Sequence, residues 1–327
     1  MMRAACLEED GRITCRLVPA PRPRSGELLV RTELAAVCGS DLHAVQGGIG
    51  AASPPYHPGY PGHEGVGTVV AGEASGLAPG RSVLTVPEAP TASGFAEYQA
   101  LPAGSVVPLP VGIPPARLVL AQHLGTVLAA LDRFWSPDGV DHAAVVGAGS
   151  AGLLFVQELR RRDVRTIVVS DPDPARRERA RALGAEAAIG ADAGALGESV
   201  LSVTDGRGAD LVVEAAGHDA ARAEAVAALA DHGTLGLFGL PERTGSAPFP
   251  FETLFRRRAS AHATYGAQSE PGLRSFRAAV DLIERGTVNV DGWLTHTYPI
   301  ERIGDAIEHA ASRRDDALKI GITFEGP

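Results

Sequence analysis

Apolar residues follow two different rhythms along this chain. From Met1 to about Leu120 they come in short runs broken by clusters of glycine and proline. Residues 27–37, 65–72 and 81–86 each read as a strand, since apolar and β-branched residues run for a strand's length between turn residues. Residues 54–62, rich in proline and glycine, read as a loop. From Ala121 to Gly266 strand and helix alternate. Residues 143–149 form a strand entering a turn, and Leu153, Leu154, Val156 and Leu159 follow at helical spacing. Residues 166–171 are the next strand. Residues 174–184 are a helix with Pro174 in its first turn and Gly184 at its end, where each is tolerated. Residues 211–217 and 234–240 are further buried strands. This alternation predicts an α/β domain with a parallel sheet covered by helices on both faces. The tail adds a helix over 274–286 and a strand over 317–324.

Composition narrows the class. With 327 residues, 45% hydrophobic and 21% charged, the chain is a globular protein of two domains. Its net charge of −9 disfavours nucleic acid and anionic membrane as partners, because binding to phosphate runs on surplus Lys and Arg. Cys6, Cys15 and Cys38 are the only cysteines, too few for a disulfide framework, which points to a reducing compartment. The first residues lack an apolar run of signal-peptide length, and the stretch Ala143–Val156 is too short to span a bilayer. The expected location is the cytoplasm. Cys6 and Cys15 read as strand residues without a redox role, and His57, His142 and the other scattered histidines as surface or loop residues.

Gly147, Gly149 and Gly152 form GxGxxG at a strand-to-helix turn. There the first glycine permits the turn, the second lets backbone approach a pyrophosphate, and the third lets helix and strand pack closely. The helix start offers free N–H groups to the anion. Asp171, 24 residues after Gly147, ends the second strand, where a carboxylate accepts hydrogen bonds from ribose hydroxyls and repels a 2′-phosphate. NAD is therefore expected ahead of NADP. Arg176 sits within reach of the ribose, and with Arg177 it keeps NADP in play. The plainer reading is that these glycines only build a turn in some other doubly wound protein.

In the first half, Cys38, Ser40, Asp41 and His43 stand close together, and His63 and Glu64 follow on a separate loop. A thiolate, an imidazole and a third group, with one position left for water, is the ligand pattern of a catalytic zinc. Taken singly, each has a plain structural use. Cys38 can be a buried apolar residue, His63 a hydrogen-bonded core histidine, and Ser40 a helix N-cap with His43 on the first turn.

The segments CGSDLH, GHEGVG, GFAEY, GAGSAG with Asp171, VVEAAG and ALKIGITF resemble, in order, those of the zinc-dependent medium-chain dehydrogenases/reductases, the alcohol and polyol dehydrogenase superfamily. The resemblance covers nearly the whole chain. It implies a GroES-like, β-rich catalytic domain made of residues 1–123 and 267–327, with a Rossmann cofactor domain at 124–266 inserted between. Cys38 and His63 are then metal ligands, Ser40 contacts the alcohol oxygen, and His43 ends a proton relay. Thr126 resembles the residue flanking the nicotinamide, and Lys319 a basic residue near the pyrophosphate. Two departures stand out. The four-cysteine lobe that binds a structural zinc in many members is missing from the segment Gly80–Gly94, so one catalytic zinc per chain is expected and no structural zinc. The family's usual third ligand, Cys, Glu or Asp, is here Gln122, a neutral amide. Glu64, Gln122 and His123 remain open as third ligands; some sugar-oxidising relatives recruit the Glu beside the ligand His.

The activity these features imply is hydride transfer between a secondary alcohol, polyol or sugar-like substrate and NAD, in a homodimer or homotetramer. Gln46, Tyr56, Tyr60 and Trp135 are near the metal in sequence. Two rivals differ in class. A metal-free, NADPH-dependent enone or quinone reductase on the same scaffold has no use for the Cys38 and His63 motifs together. A non-catalytic dinucleotide-binding protein would bind cofactor without turnover.

Overall fold

In the computed structural model, which describes residues 1–72, 77–88, 91–136 and 138–324, the chain forms two compact units: residues 1–126 with 267–327, and residues 127–266. Ala89 and Pro90, within the segment where a structural-zinc lobe would stand, lie outside the described residues.

The first unit is β-rich. Strands β1 (Met2–Leu7) and β2 (Ile13–Val18) pair as an antiparallel hairpin that carries Cys6 and Cys15. Strand β3 (Glu27–Val37) is the organiser of the larger sheet. Its burial alternates along the first half and is continuous from Leu34 to Val37, as its residues come to be covered on both faces. A seven-stranded sheet grows around it. It contains β4 (Glu64–Ala71), β5 (Ser82–Thr85), β6 (Tyr98–Pro102) and β7 (Val106–Pro108), with β14 (Leu294–Pro299) and β15 (Lys319–Thr323) returning from the C-terminal end of the chain. Helix α1 (Gly39–Val45) follows β3, the short α2 (Pro115–Leu118) follows β7, and α3 (Leu120–Phe134) runs across the boundary between the units. The apolar interior joins Ala5, Val37, Tyr60, Phe95, Ile320 and Ile322.

The second unit alternates strand and helix: β8 (His142–Val146), α4 (Ser150–Arg161), β9 (Thr166–Ser170), α5 (Pro174–Ala182), β10 (Ala187–Ile189), α6 (Ala195–Val203), β11 (Ala209–Glu214), α7 (Asp219–Ala227), β12 (Leu229–Leu237), α8 (Phe251–Arg256) and β13 (Ser260–Ala263). All six strands are parallel, in the order β10-β9-β8-β11-β12-β13. Counted within the unit this is 3-2-1-4-5-6, the order of a Rossmann sheet with its switch point between β8 and β11. Every residue of β8 and β9 is buried, as central parallel strands require. His142 is corrected by this placement. It is the first residue of β8, 4% exposed, with Nε2 against the Arg207 guanidinium. His309 is likewise buried in α10 (Ile303–Ser312), its Nδ1 2.8 Å from the Tyr298 hydroxyl. Helix α9 (Arg274–Glu284) returns the chain to the first unit.

Candidate active site

Strand register gathers the polar residues of the first unit at one end of β3. Ala36 of β3 pairs with Glu64, the first residue of β4, so His63 and Glu64 arrive beside the residue that leaves β3, Cys38. On the other side Val37 pairs with Ile320, which brings Lys319 to the same end. Cys38 is the N-cap of α1, and Ser40, Asp41 and His43 ride its first turns. Donor atoms of Cys38, His63 and Glu64 lie within 4.8 Å of one another, among the described residues the one group of three Cys, His, Asp or Glu so arranged.

Asp41 holds this geometry. Its Oδ2 accepts from the Cys38 backbone N–H at 2.8 Å, and its Oδ1 lies 2.9 Å from His63 Nδ1. A carboxylate only accepts, so Nδ1 carries the hydrogen and Nε2 is the ring nitrogen that Asp41 leaves available. Nε2 is also 3.4 Å from Ser40 Oγ. Burial opposes a proton on His63, but the charge and hydrogen bond of Asp41, aided by Cys38, outweigh it and hold the ring's pKa well above its ordinary value.

Glu64 is fully buried and faces Lys319, itself 3% exposed. Lys319 Nζ donates to Oε1 at 2.8 Å and forms an ion pair with Oε2 at 2.7 Å. His123, in the first turn of α3, has Nδ1 3.3 Å from the same ammonium. Burial, reinforced by the Lys319 charge, drives the His123 pKa down to about 3, so the ring is neutral and Nδ1 accepts. Burial alone would raise the Glu64 pKa, yet the Lys319 charge beside it, with His63, holds it below its ordinary value. Thiol, imidazole and carboxylate suit a zinc ion by number and type.

The second unit holds the expected glycine turn. Gly147 has φ +96°, and a Cβ there would press on Ala216. A Cβ on Gly152 would fall 1.8 Å from the Gly147 carbonyl oxygen, so only glycine allows this approach of helix to strand. At Gly149 the space is open, with only the Arg176 guanidinium 4.0 Å away. Asp171 closes the turn from the end of β9: Oδ2 accepts from Ala148 N–H at 2.7 Å and Oδ1 from Asp173 N–H at 2.8 Å.

Comparison with known proteins agrees with both halves. Residues 24–111 match the alcohol dehydrogenase GroES-like domain, and residues 151–285 match the zinc-binding dehydrogenase family. The chain belongs to the zinc-type medium-chain dehydrogenases/reductases. L-Threonine 3-dehydrogenase of Pyrococcus abyssi is 28% identical over 316 residues, which cover 86% of each chain. Alcohol dehydrogenase TADH from Thermus sp. ATN1 is 28% identical, with a TM-score of 0.84 over 99% of this chain and 100% of its own. The 2R,3R-butanediol dehydrogenase of Bacillus subtilis, 20% identical, shares the fold at a TM-score of 0.85 over 99% of this chain and 100% of its own.

For this dehydrogenase the remaining expected residues fall as follows. Gln122 is 2% exposed beside His123, and its Nε2 makes no hydrogen bond among the described residues. Thr126 donates its hydroxyl back to the Gln122 carbonyl at 3.3 Å. Lys319, which the resemblance sets near a pyrophosphate, spends its ammonium on Glu64 and His123. Tyr60 is buried, its hydroxyl accepting from Ala52 N–H, and Tyr56 stacks on it at 5.4 Å. Trp135 lies in the second unit under the Arg162 guanidinium. Asp41 is the residue that sequence reasoning left without a role. Its place three residues after the N-cap was the available signal, since a carboxylate there reaches back to the N-cap N–H.

Proposed function

We propose that this dehydrogenase interconverts a secondary alcohol, polyol or sugar-like substrate and its carbonyl, using one catalytic zinc per chain, no structural zinc, and NAD. The observation that carries the reading is Cys38, His63 and Glu64 converging with Ser40 Oγ beside His63 Nε2. Cys38 and His63 would hold the ion, with Glu64 or Gln122 as third donor. The chemistry that the two bound groups supply is Lewis-acid polarisation of the substrate oxygen and hydride exchange at the neighbouring carbon.

The chain's own residues do the rest. Ser40 Oγ accepts the substrate's hydroxyl proton, and His43, one helical turn along α1, passes it outward, a task an imidazole suits because it can both take up and give a proton. Asp41 keeps His63 Nε2 aimed. Gly147, Gly149 and Gly152 seat the pyrophosphate, with Thr126 flanking the nicotinamide. NAD is favoured over NADP because Asp171 offers only acceptors where a 2′-phosphate would come. The neighbouring arginines are engaged as well: Arg176 pairs with Asp173, and Arg177 donates to the Asp171 and Pro172 carbonyls.

Strand β13 ends its sheet with an outer edge, and Phe251, Phe255 and Tyr265 stand exposed nearby. An edge of that kind favours a homodimer or homotetramer, pairing across a two-fold. Cys6, Cys15 and Cys38 all stand as thiols, in keeping with the cytoplasm. Among the described residues no helix is long and apolar enough to cross a membrane.

The test is a panel of alcohols and polyols with NAD or NADP, followed by nicotinamide absorbance with and without chelator, alongside metal analysis. One zinc per chain and chelator-sensitive reduction of NAD are expected, and His63→Ala should lose metal and turnover together. Full activity in His63→Ala overturns the reading, and metal-free turnover of enones with NADPH would establish the rival.

A further inference from the structure

We infer that Lys319 is a positioning residue that sets how tightly this enzyme holds its cation, by competing with that cation for Glu64. The inference rests on the reading of Cys38, His63 and Glu64 as the cation site.

Three observations carry it. The β3 register fixes Glu64 and Lys319 on the two strands that flank the exit of Cys38, so neither backbone can withdraw. Both side chains are buried, 0% and 3% exposed, so the ammonium has no water to turn to. Its contacts are spent within the site: Glu64 Oε1 at 2.8 Å, Glu64 Oε2 at 2.7 Å and His123 Nδ1 at 3.3 Å. Gln122 supplies no charge, and Glu64 is the carboxylate whose oxygen groups with the donor atoms of Cys38 and His63 among the described residues. A divalent ion that takes a Glu64 oxygen therefore comes to rest within a few ångströms of a fixed positive charge, where repulsion is weakly screened.

Two consequences follow. The cation is bound less firmly than thiolate, imidazole and carboxylate would bind it alone, and Lys319 keeps Glu64 neutralised whenever the cation is away. A group with this role is distinct from one that contacts the cofactor's phosphates, which the family resemblance implied for the same residue.

The experiment separates the two roles. Wild type, Lys319→Met and Lys319→Arg are stripped with chelator and titrated with Co²⁺, reading the thiolate-to-cobalt absorption against a competing chelator. NAD binding is measured on the same samples by fluorescence. Lys319→Met should bind Co²⁺ at least roughly tenfold tighter, as expected for removal of a nearby like charge. Lys319→Arg should stay close to wild type, and NAD affinity should hold in both. Unchanged or weaker Co²⁺ binding by Lys319→Met overturns the inference, and a loss of NAD affinity alongside it returns Lys319 to the phosphate. If stripped Lys319→Met unfolds, release of metal from the loaded variant to chelator decides. Slower release than wild type supports the inference, and equal or faster release overturns it. Failure of wild type to bind Co²⁺ would defeat the site itself, whereas one ion per wild-type chain without tightening in Lys319→Met defeats only this inference.

Discussion

Nδ1 of His63 stands 2.9 Å from Oδ1 of Asp41, a fully buried carboxylate whose second oxygen takes the backbone N–H of Cys38. One side chain thus fixes both proposed ligands, the ring by its tautomer and the thiol by the turn that carries it. Asp41→Asn preserves the volume but replaces one acceptor oxygen with a donor nitrogen. Either His63 or Cys38 then loses its partner. Loss of such an outer partner typically weakens a metal site by roughly 10–100-fold. Chelator competition on the purified variant should show that drop, with the fold retained. Metal affinity equal to wild type would mean that Asp41 only caps α1.

The glycine turn offers a paired prediction. Gly152→Ala places a methyl 1.8 Å from the Gly147 carbonyl oxygen, a backbone atom that cannot step aside alone. Overpacking of this kind costs about 1–3 kcal/mol, so thermal stability and NAD affinity should fall together. Gly149→Ala meets nothing closer than Arg176 at 4.0 Å, and its φ of −69° suits any residue. That variant should melt near wild type yet bind NAD more weakly, because its methyl occupies the approach of the pyrophosphate. Calorimetric titration with NAD, read beside unfolding curves, distinguishes the two. Equal NAD affinity in Gly149→Ala would remove the pyrophosphate from this turn.

The second unit was the more legible from sequence because its signals are local. A buried parallel strand reads as a largely apolar run, so β8, β9, β11 and β12 each overlap an expected segment. Edge strands β10 and β13 are short and partly exposed and carry no such run. In the first unit β3 was read end to end, while β14 escaped notice. Its residues are partly exposed, and it is a strand by virtue of pairing with β15. The candidate site divides the same way. Cys38 and His63 are visible as residue types on neighbouring loops. The contact of Lys319 with Glu64 spans 255 positions and exists only through the shared register of β4, β3 and β15. A motif cannot display such a pairing. Histidine burial failed for a related reason: His142 is polar by type but opens a strand covered on both faces.

Glu214 supplies a test of the dinucleotide unit through pH. It ends β11, fully buried, with Oε1 accepting from Ala216 N–H at 2.7 Å and Gly217 N–H at 2.6 Å, while Oε2 has no hydrogen-bond partner among the described residues. Burial raises its pKa above the ordinary 4.5, only partly offset by those two N–H groups. A carboxyl raised in the folded state binds its proton more firmly there than in the unfolded chain. Its contribution to stability is therefore whole below the unfolded value and is lost as pH rises through the folded one. Glu214→Gln keeps an oxygen for Ala216 and Gly217 and cannot ionise. The variant's melting temperature minus that of wild type should thus grow from about pH 4 to about pH 7. A constant difference across that range would show that Glu214 ionises in the fold as freely as in water. A falling one would show that its charge is wanted there, by a donor or cation reaching Oε2.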